Sequence, residues 1–458
     1  MRTADVAVVG GGPAGAAAAI TLARGGRTVL LVDKATFPRD KCCGDGLTTG
    51  ALRRLEQLGL RPEEVPSWYP VDDVHVRGPA GRSTTFPLPR RQGLFAAVAR
   101  RTDLDSALLD VARRAGVEVH DGCRLRGVRL TPAGDALILE AEGVGPVKAR
   151  YAVGADGVWS PLRKALGATH EPGYLGEWHA FRQYFTGVDE QAATQLWVWF
   201  EADLLPGYAW SFPLGNGRAN VGFGVLRRPG ITTQRMKQQW TDLLERPHIR
   251  EALGPHARPE APHKAWPIPA RVEHTALWAA GGRALFVGDA ARATDPMTGE
   301  GIGQALETGI LAAEAMLGAG ALRPAAAAAA YDAAVARGLA VDNRLAGFLS
   351  RVGIAHRKGL RLTLRVAGAN DWTRRNFARW LFEDYPRAVV ATPRRWRPGI
   401  FTGPGAYRPT RSLPRDERGG RGTAAMATTG GAASGADSRL PRNGAPSGST
   451  RPSAPASQ

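Results

Sequence analysis

The sequence predicts an α/β fold in three parts. A parallel-sheet domain is discontinuous along the chain, a mostly antiparallel β domain is set into it, and a helical region ends it. Three observations predict this. Residues 5–33 read strand, glycine turn, helix, strand. Residues 166–275 turn aromatic and rich in turn signals. Residues 283–318 return to a buried strand and a periodic helix.

The elements follow in order. Residues 5–9 form a short buried strand. Residues 13–24 form a helix of small residues, closed by Gly25 and Gly26, and residues 28–32 a second buried strand. Leu52, Leu55 and Leu58 share a face of a helix over 47–59. Residues 71–90 alternate like a hairpin, 102–116 read as a helix with Gly116 at its end, 117–120 as a strand and 123–155 as strands joined by turns. Residues 325–380 are helical and basic. The parallel-sheet domain is therefore expected at 1–70, 95–165 and 276–335, the β domain at 71–94 and 166–275, and the helical region at 336–402. From 403 to 458 the composition collapses to Gly, Ser, Ala, Pro, Thr and Arg, as in a disordered tail.

Composition narrows the class. The net charge of +18 is largely arginine and favours anionic ligands or surfaces, but no nucleic-acid module accompanies it, so no nucleic-acid partner is expected. Cys42, Cys43 and Cys123 form neither a disulfide framework nor a zinc spacing, and no metal is expected. A reducing, cytoplasmic location fits that cysteine usage. No apolar run reaches the ~18 residues of a membrane span; the alanine-rich stretch 310–331 is broken by Glu314, Arg323 and Pro324. The apolar N-terminus is not read as a signal peptide, because Asp5 precedes it and spaced glycines interrupt it.

The chemistry begins at Gly10-Gly11-Gly12-Pro13-Ala14-Gly15, which follows a strand and opens a helix, with Asp33 ending the next strand. That is the dinucleotide fingerprint of a Rossmann-type unit. Gly10 permits the tight turn, Gly12 lets a pyrophosphate approach, and Gly15 lets helix and strand pack. The helix N-terminus favours the phosphate charge, and Asp33 is expected to accept from a ribose hydroxyl. Further on, Pro296, Gly299 and Gly301 precede a helix that begins near Ile302, whose free N–H groups would favour an anion.

Residues 152–163, with Asp156-Gly157, and residues 285–303, with Gly288-Asp289, resemble the paired motifs of FAD-dependent hydroxylases and reductases that have one Rossmann domain. The resemblance implies that Asp289 binds the ribityl chain, that Asp156 and Gly157 lie near the dinucleotide, and that Arg101 contacts FAD. Lys34, Cys43 and Gly44 join the expected cofactor contacts. Two further segments resemble geranylgeranyl and related polyprenyl reductases. One is Phe37 to Leu47, with Cys43-Gly44-Asp45-Gly46; the other is Leu205 to Gly224, with Tyr208, Trp210 and Phe212 alternating along one strand face. The chain departs from that pattern in having a second cysteine, Cys42, before Cys43.

The resemblance implies an enzyme that reduces isoprenoid C=C bonds in a geranylgeranyl, polyprenyl or menaquinone side chain, with FAD as cofactor and NADPH as donor. Tyr208, Trp210 and Phe212 are expected to line the prenyl pocket. An isolated alkene has no carbonyl to take up charge, so acid assistance matters. Cys43, Tyr208 or a bound water are the candidate acids. The basic residues Arg351, Arg357, Lys358, Arg361 and Arg365 offer a peripheral contact to an anionic membrane or simply a solvated face. A flavin monooxygenase acting on an aromatic or polyketide substrate and a non-catalytic electron carrier are the alternatives. A halogenase is disfavoured, because Trp197-Val198-Trp199 continues into Phe200 and Glu201.

Overall fold

The βαβ unit forms where its residue pattern places it. A computed structural model describes residues 1–168, 173–228 and 232–408. In it the strand Arg2–Val9 passes through the glycine turn into the helix Pro13–Arg24 and on to the strand Val29–Val32. Arg2–Val9 is central, parallel to Val29–Val32 on one side and Gly145–Gly154 on the other. Glu118–His120 and Ala284–Phe286 extend the sheet, each parallel to its neighbour. An antiparallel hairpin, Leu125–Leu130 and Leu137–Ala141, is added along Gly145–Gly154.

The first helix is made of small residues because it is enclosed. Ala16, Ala17, Ala18 and Ala19 are fully buried. The helix Ile302–Ala319 crosses it so closely that a Cβ on Gly309 would lie 2.3 Å from the carbonyl oxygen of Ala14. Packing at that distance fixes the N-termini of both helices on one side of the sheet, above the strand ends, where such folds bind nucleotides.

The second sheet runs in the order Arg258–Pro259, Trp178–Thr186, Arg218–Leu226, Tyr208–Gly215, Leu196–Trp199, Asp73–Arg77, Ser83–Pro87, with Lys264–Ile268 also paired to Trp178–Thr186. Its pairs are antiparallel except for Leu196–Trp199, which runs parallel to Asp73–Arg77. The aromatic reading of this region overlooks two helices, Thr233–Leu244 and Pro247–Leu253, on its outer face. Met236, Trp240 and Leu243 recur at helical spacing and pack on Phe181 and Phe223. Residues 233–253 hold one aromatic, Trp240; the aromatic run over 178–212 sets the reading of the whole region and masks a pattern here that is helical, not alternating.

The C-terminal region is helical as expected: Pro324–Arg337, Leu339–Leu349, a π-helical turn Ser350–Ile354, Arg357–Ala367 and Asp371–Leu381. Ala367, Ala378 and Phe382 pack with Val74, Val76 and Phe86 of the second sheet. No described helix is long and apolar enough to cross a membrane. One boundary is corrected. Residues 403–408 belong to the packed chain, since Leu94 and Ala406 exchange backbone hydrogen bonds and Ala406 is fully buried. Arg379 and Arg53 donate to the carbonyls of Gly403 and Pro404, bonds that composition cannot show. The rest of the expected tail lies outside the described residues.

Candidate active site

One cavity of about 1430 Å³ is lined by both sheets and by the C-terminal helices. Ordinary ligand pockets hold ~300–1,000 Å³. The space therefore suffices for a dinucleotide and a second ligand together.

One end is built from backbone. Gly10 has φ +111°, and a Cβ there would lie 2.2 Å from the Ala155 carbonyl oxygen. Above Gly12 the space is open, its nearest neighbours being the guanidinium nitrogens of Arg39 and Arg101, 3.4 and 3.9 Å from a notional Cβ. No side chain caps the N-terminus of the helix Pro13–Arg24. An open cradle, free N–H groups and two cations are the donor set that a pyrophosphate needs. Arg101 is buried and held by Asp105 through a bidentate pair of 2.8 and 2.7 Å, and Arg39 meets the same carboxylate at 3.0 Å. Asp33 accepts from Gly11 N–H at 2.6 Å and Ala35 N–H at 2.8 Å, so it braces the glycine turn while lining the cavity.

Lys34, Cys43, Gly44, Asp156, Gly157, Asp289, Gly299, Gly301 and Ile302 also line the cavity, as do Pro13 and Ala14. Gly15 and Pro296 do not. Gly15 serves packing alone, since a Cβ there would lie 1.8 Å from the Gly10 carbonyl oxygen. Pro296 sits against the next helical layer, its ring 3.8 Å from a notional Cβ on Gly347. Asp156 spends its carboxylate on Ser160 and on Leu162 N–H, closing the turn into the next helix. Asp289 faces Lys41 at 3.4 Å, and Lys41 also lies 3.9 Å over the Trp266 ring. Burial lowers the Lys41 pKa against the opposing pull of Asp289.

The cysteine loop closes the middle of the site. Burial pushes the Cys43 thiol up to about 11, so it stays protonated rather than forming a reactive thiolate. Asp45 is fully enclosed and is pushed by burial up to about 6. It accepts from Tyr184 at 2.6 Å and from Asn220 at 2.8 Å, and Tyr184 is flanked by Arg100 and Arg182 at 4.3 and 4.0 Å. Asn220 also donates to the Cys43 carbonyl and accepts from Trp210. That network ties the cysteine loop to the second sheet.

The other end is built from side chains. Tyr208, Trp210 and Phe212 line the cavity from one strand face. Trp210 lies opposite Gly222, where a Cβ would come within 2.3 Å of the indole, so the glycine makes room for the ring. The Tyr208 hydroxyl donates to the Thr298 carbonyl, and burial pushes its pKa above the ordinary value. Val74, Val198, Leu364, Phe377 and Trp380 complete the apolar lining.

The sequence reading missed Arg39, Lys41, Asp45 and Glu300, although all four stand inside motifs that it used. Their adjacency to a glycine turn was the available signal. Their pairing across the fold was not visible.

The fold and this cradle define a flavoprotein with a single Rossmann-type domain. The FAD binding domain family matches residues 3–347. The chain is 34% identical to a menaquinone reductase of Mycolicibacterium smegmatis over 422 residues, covering 85% of this chain and 97% of that protein. It is 32% identical to digeranylgeranylglycerophospholipid reductase 2 of Methanopyrus kandleri over 68% of this chain and 76% of that protein. A geranylgeranyl bacteriochlorophyll reductase-like protein of Thermoplasma acidophilum shares the fold, with TM-score 0.72 and 21% identity over 86% of this chain and all of that one. The chain belongs to the FAD-binding family and, within it, to the group of these menaquinone and geranylgeranyl-lipid reductases.

Proposed function

We propose that this protein is an FAD-dependent reductase of isoprenoid C=C bonds in a prenylated lipid such as menaquinone. The observation that carries the reading is the continuity of the cavity: a backbone cradle for a dinucleotide opens directly into an apolar, aromatic-walled space. Gly10, Gly12, Arg39, Arg101 and Asp33 would hold FAD at one end, with Asp289 and Lys41 further along. Once reduced, bound FAD supplies a hydride. The chain's own work is to lay the alkene along Tyr208, Trp210 and Phe212 and to keep water out. NADPH is the proposed two-electron donor.

The same reading takes the substrate from a membrane surface. Val366, Trp372, Val390 and Trp396 line the cavity, yet each is more than half exposed, so they form an apolar rim at its mouth. Exposed arginines adjoin those residues in the chain, Arg361 and Arg365 before Val366 and Arg394 and Arg397 on either side of Trp396, and none of these four has an acidic partner among the described residues. An apolar rim adjoined by cations suits an anionic bilayer, from which a prenyl chain can pass without crossing water.

The test is turnover of the purified protein with NADPH and menaquinone under anaerobic conditions, read by mass spectrometry. The expected product has gained two hydrogens in its side chain. Insertion of an oxygen atom into an aromatic substrate would instead establish a monooxygenase.

A further inference from the structure

We propose that Glu300, in its protonated form, is the acid that delivers the proton to the reduced double bond. This step rests on the reductase reading above. Glu300 lies just before the helix Ile302–Ala319 and lines the cavity. Its Oε1 accepts from Gly303 N–H at 2.8 Å, and its other oxygen has no partner among the described residues.

A second carboxylate decides its protonation. A Cβ built on Gly303 would lie 3.4 Å from Glu383 Oε2 and 3.5 Å from Glu300 Oε1, so the two groups crowd one point. Two partly buried carboxylates flanking one backbone position disfavour each other's charge. Glu383 has the donors that favour the charged form: Gln304 at 2.7 Å, Thr48 at 3.2 Å and the Arg387 guanidinium at 3.2 Å. Glu300 has a single backbone N–H. The proton therefore favours Glu300, whose pKa burial, reinforced by the Glu383 charge, pushes up to about 8, while burial raises Glu383 as well but against the pull of Arg387 and Arg54. Asp295 adds to the rise and Arg387 opposes it; Arg387 is also committed to Asp295 at 2.6 Å. Arg54 acts on Glu383, and Tyr208 and Cys43 are the remaining titratable groups coupled to Glu300; a charge on Glu300 would raise both.

The other acids in the site suit the task less well. The Cys43 thiol is held near 11, the Tyr208 hydroxyl is committed to Thr298, and Asp45, although it lines the cavity, has one oxygen held by both Tyr184 and Asn220 and has no solvent exposure through which to recover a proton. A general acid works best with a pKa near the working pH. In the step itself one alkene carbon takes the hydride that reduced FAD supplies. The alkene π pair forms a C–H bond with the Glu300 proton at the other carbon as the O–H bond breaks. The carboxylate left behind recovers a proton from water. The lipid gains two hydrogens, two electrons having come with the hydride.

The experiment uses the FAD-loaded wild type, Glu300→Gln and Glu300→Asp, each reduced anaerobically and mixed with menaquinone, with flavin absorbance confirming that every variant keeps its cofactor. Glu300→Gln is expected to be reduced normally but reoxidised at least ~100-fold more slowly, with Glu300→Asp recovering part of the rate. The wild-type rate should fall as pH rises through about 8, and the Gln variant should lose that dependence. Infrared titration reads the group without turnover: a carboxylic-acid band that disappears in the same range and is missing from Glu300→Gln. Reoxidation of the Gln variant at the wild-type rate, or a Glu300 already ionised at pH 7, would overturn the proposal. A wild type that menaquinone never reoxidises would overturn the reductase reading and this step with it.

Discussion

The two ends of the cavity are built on different principles. At the nucleotide end a single continuous turn brings backbone to the cavity, with Gly10, Gly12, Pro13 and Ala14 lining it. At the apolar end the walls are side chains from segments far apart in the chain: Val74, Val198, the Tyr208–Phe212 face, and Leu364 to Trp380. The difference teaches what each end tolerates. A backbone cradle fails when one Cβ is added, whereas an apolar wall changes shape by degrees.

The sharpest way to break the comparison is at Gly10. Gly10→Val would force a side chain into a φ of +111° and against Ala155. Backbone strain of ~3 kcal/mol would weaken FAD binding by about 100-fold, read as flavin absorbance that no longer travels with the protein on gel filtration. At the other end Phe212→Ala should leave FAD content intact and raise the KM for the prenyl substrate by roughly 30-fold, because the prenyl chain then has no ring to pack against there. Equal effects of both substitutions on FAD retention would erase the distinction.

The rim sharpens it further. Replacing Arg361 and Arg365 with Gln should weaken binding to phosphatidylglycerol vesicles in flotation by roughly 30-fold, from ~1 kcal/mol for each of the two cations lost, and leave flavin reduction by NADPH unchanged. The smallest effect belongs to Asp45. Its folded pKa of about 6 lies above the ~3.9 of an unfolded aspartate. Its contribution to stability is thus complete below ~pH 4 and is lost as pH rises through about 6. Asp45→Asn keeps acceptance from Tyr184 and Asn220 and should be about 1 kcal/mol more stable than wild type at pH 8, with no gain at pH 4. Denaturant titration at the two pH values checks it.

The same contrast governs what could be read from the sequence. Gly10, Gly12, Asp33 and the helix from Pro13 were legible because spacing along the chain sets their geometry. The face shared by Tyr208, Trp210 and Phe212 was legible from alternation, though not the Gly222 opposite that admits the indole. Arg39 beside Asp105, Lys41 beside Asp289, and Glu300 crowded by Glu383 were not, since each pair joins distant segments. The helices over 233–253 hid behind the aromatic content of the strands that precede them, and the packing of Ala406 on Leu94 behind a composition typical of disorder.

The central claim is that a prenyl alkene and FAD share one cavity. It is tested most directly by single-turnover reoxidation of the NADPH-reduced protein under anaerobic conditions, with menaquinone compared against the same naphthoquinone ring bearing a fully saturated chain. The account predicts reoxidation by menaquinone with a two-hydrogen gain in its side chain, and no such gain with the saturated compound. Equal reoxidation by both, with the menaquinone side chain unchanged, would show electrons passing to the ring and contradict it.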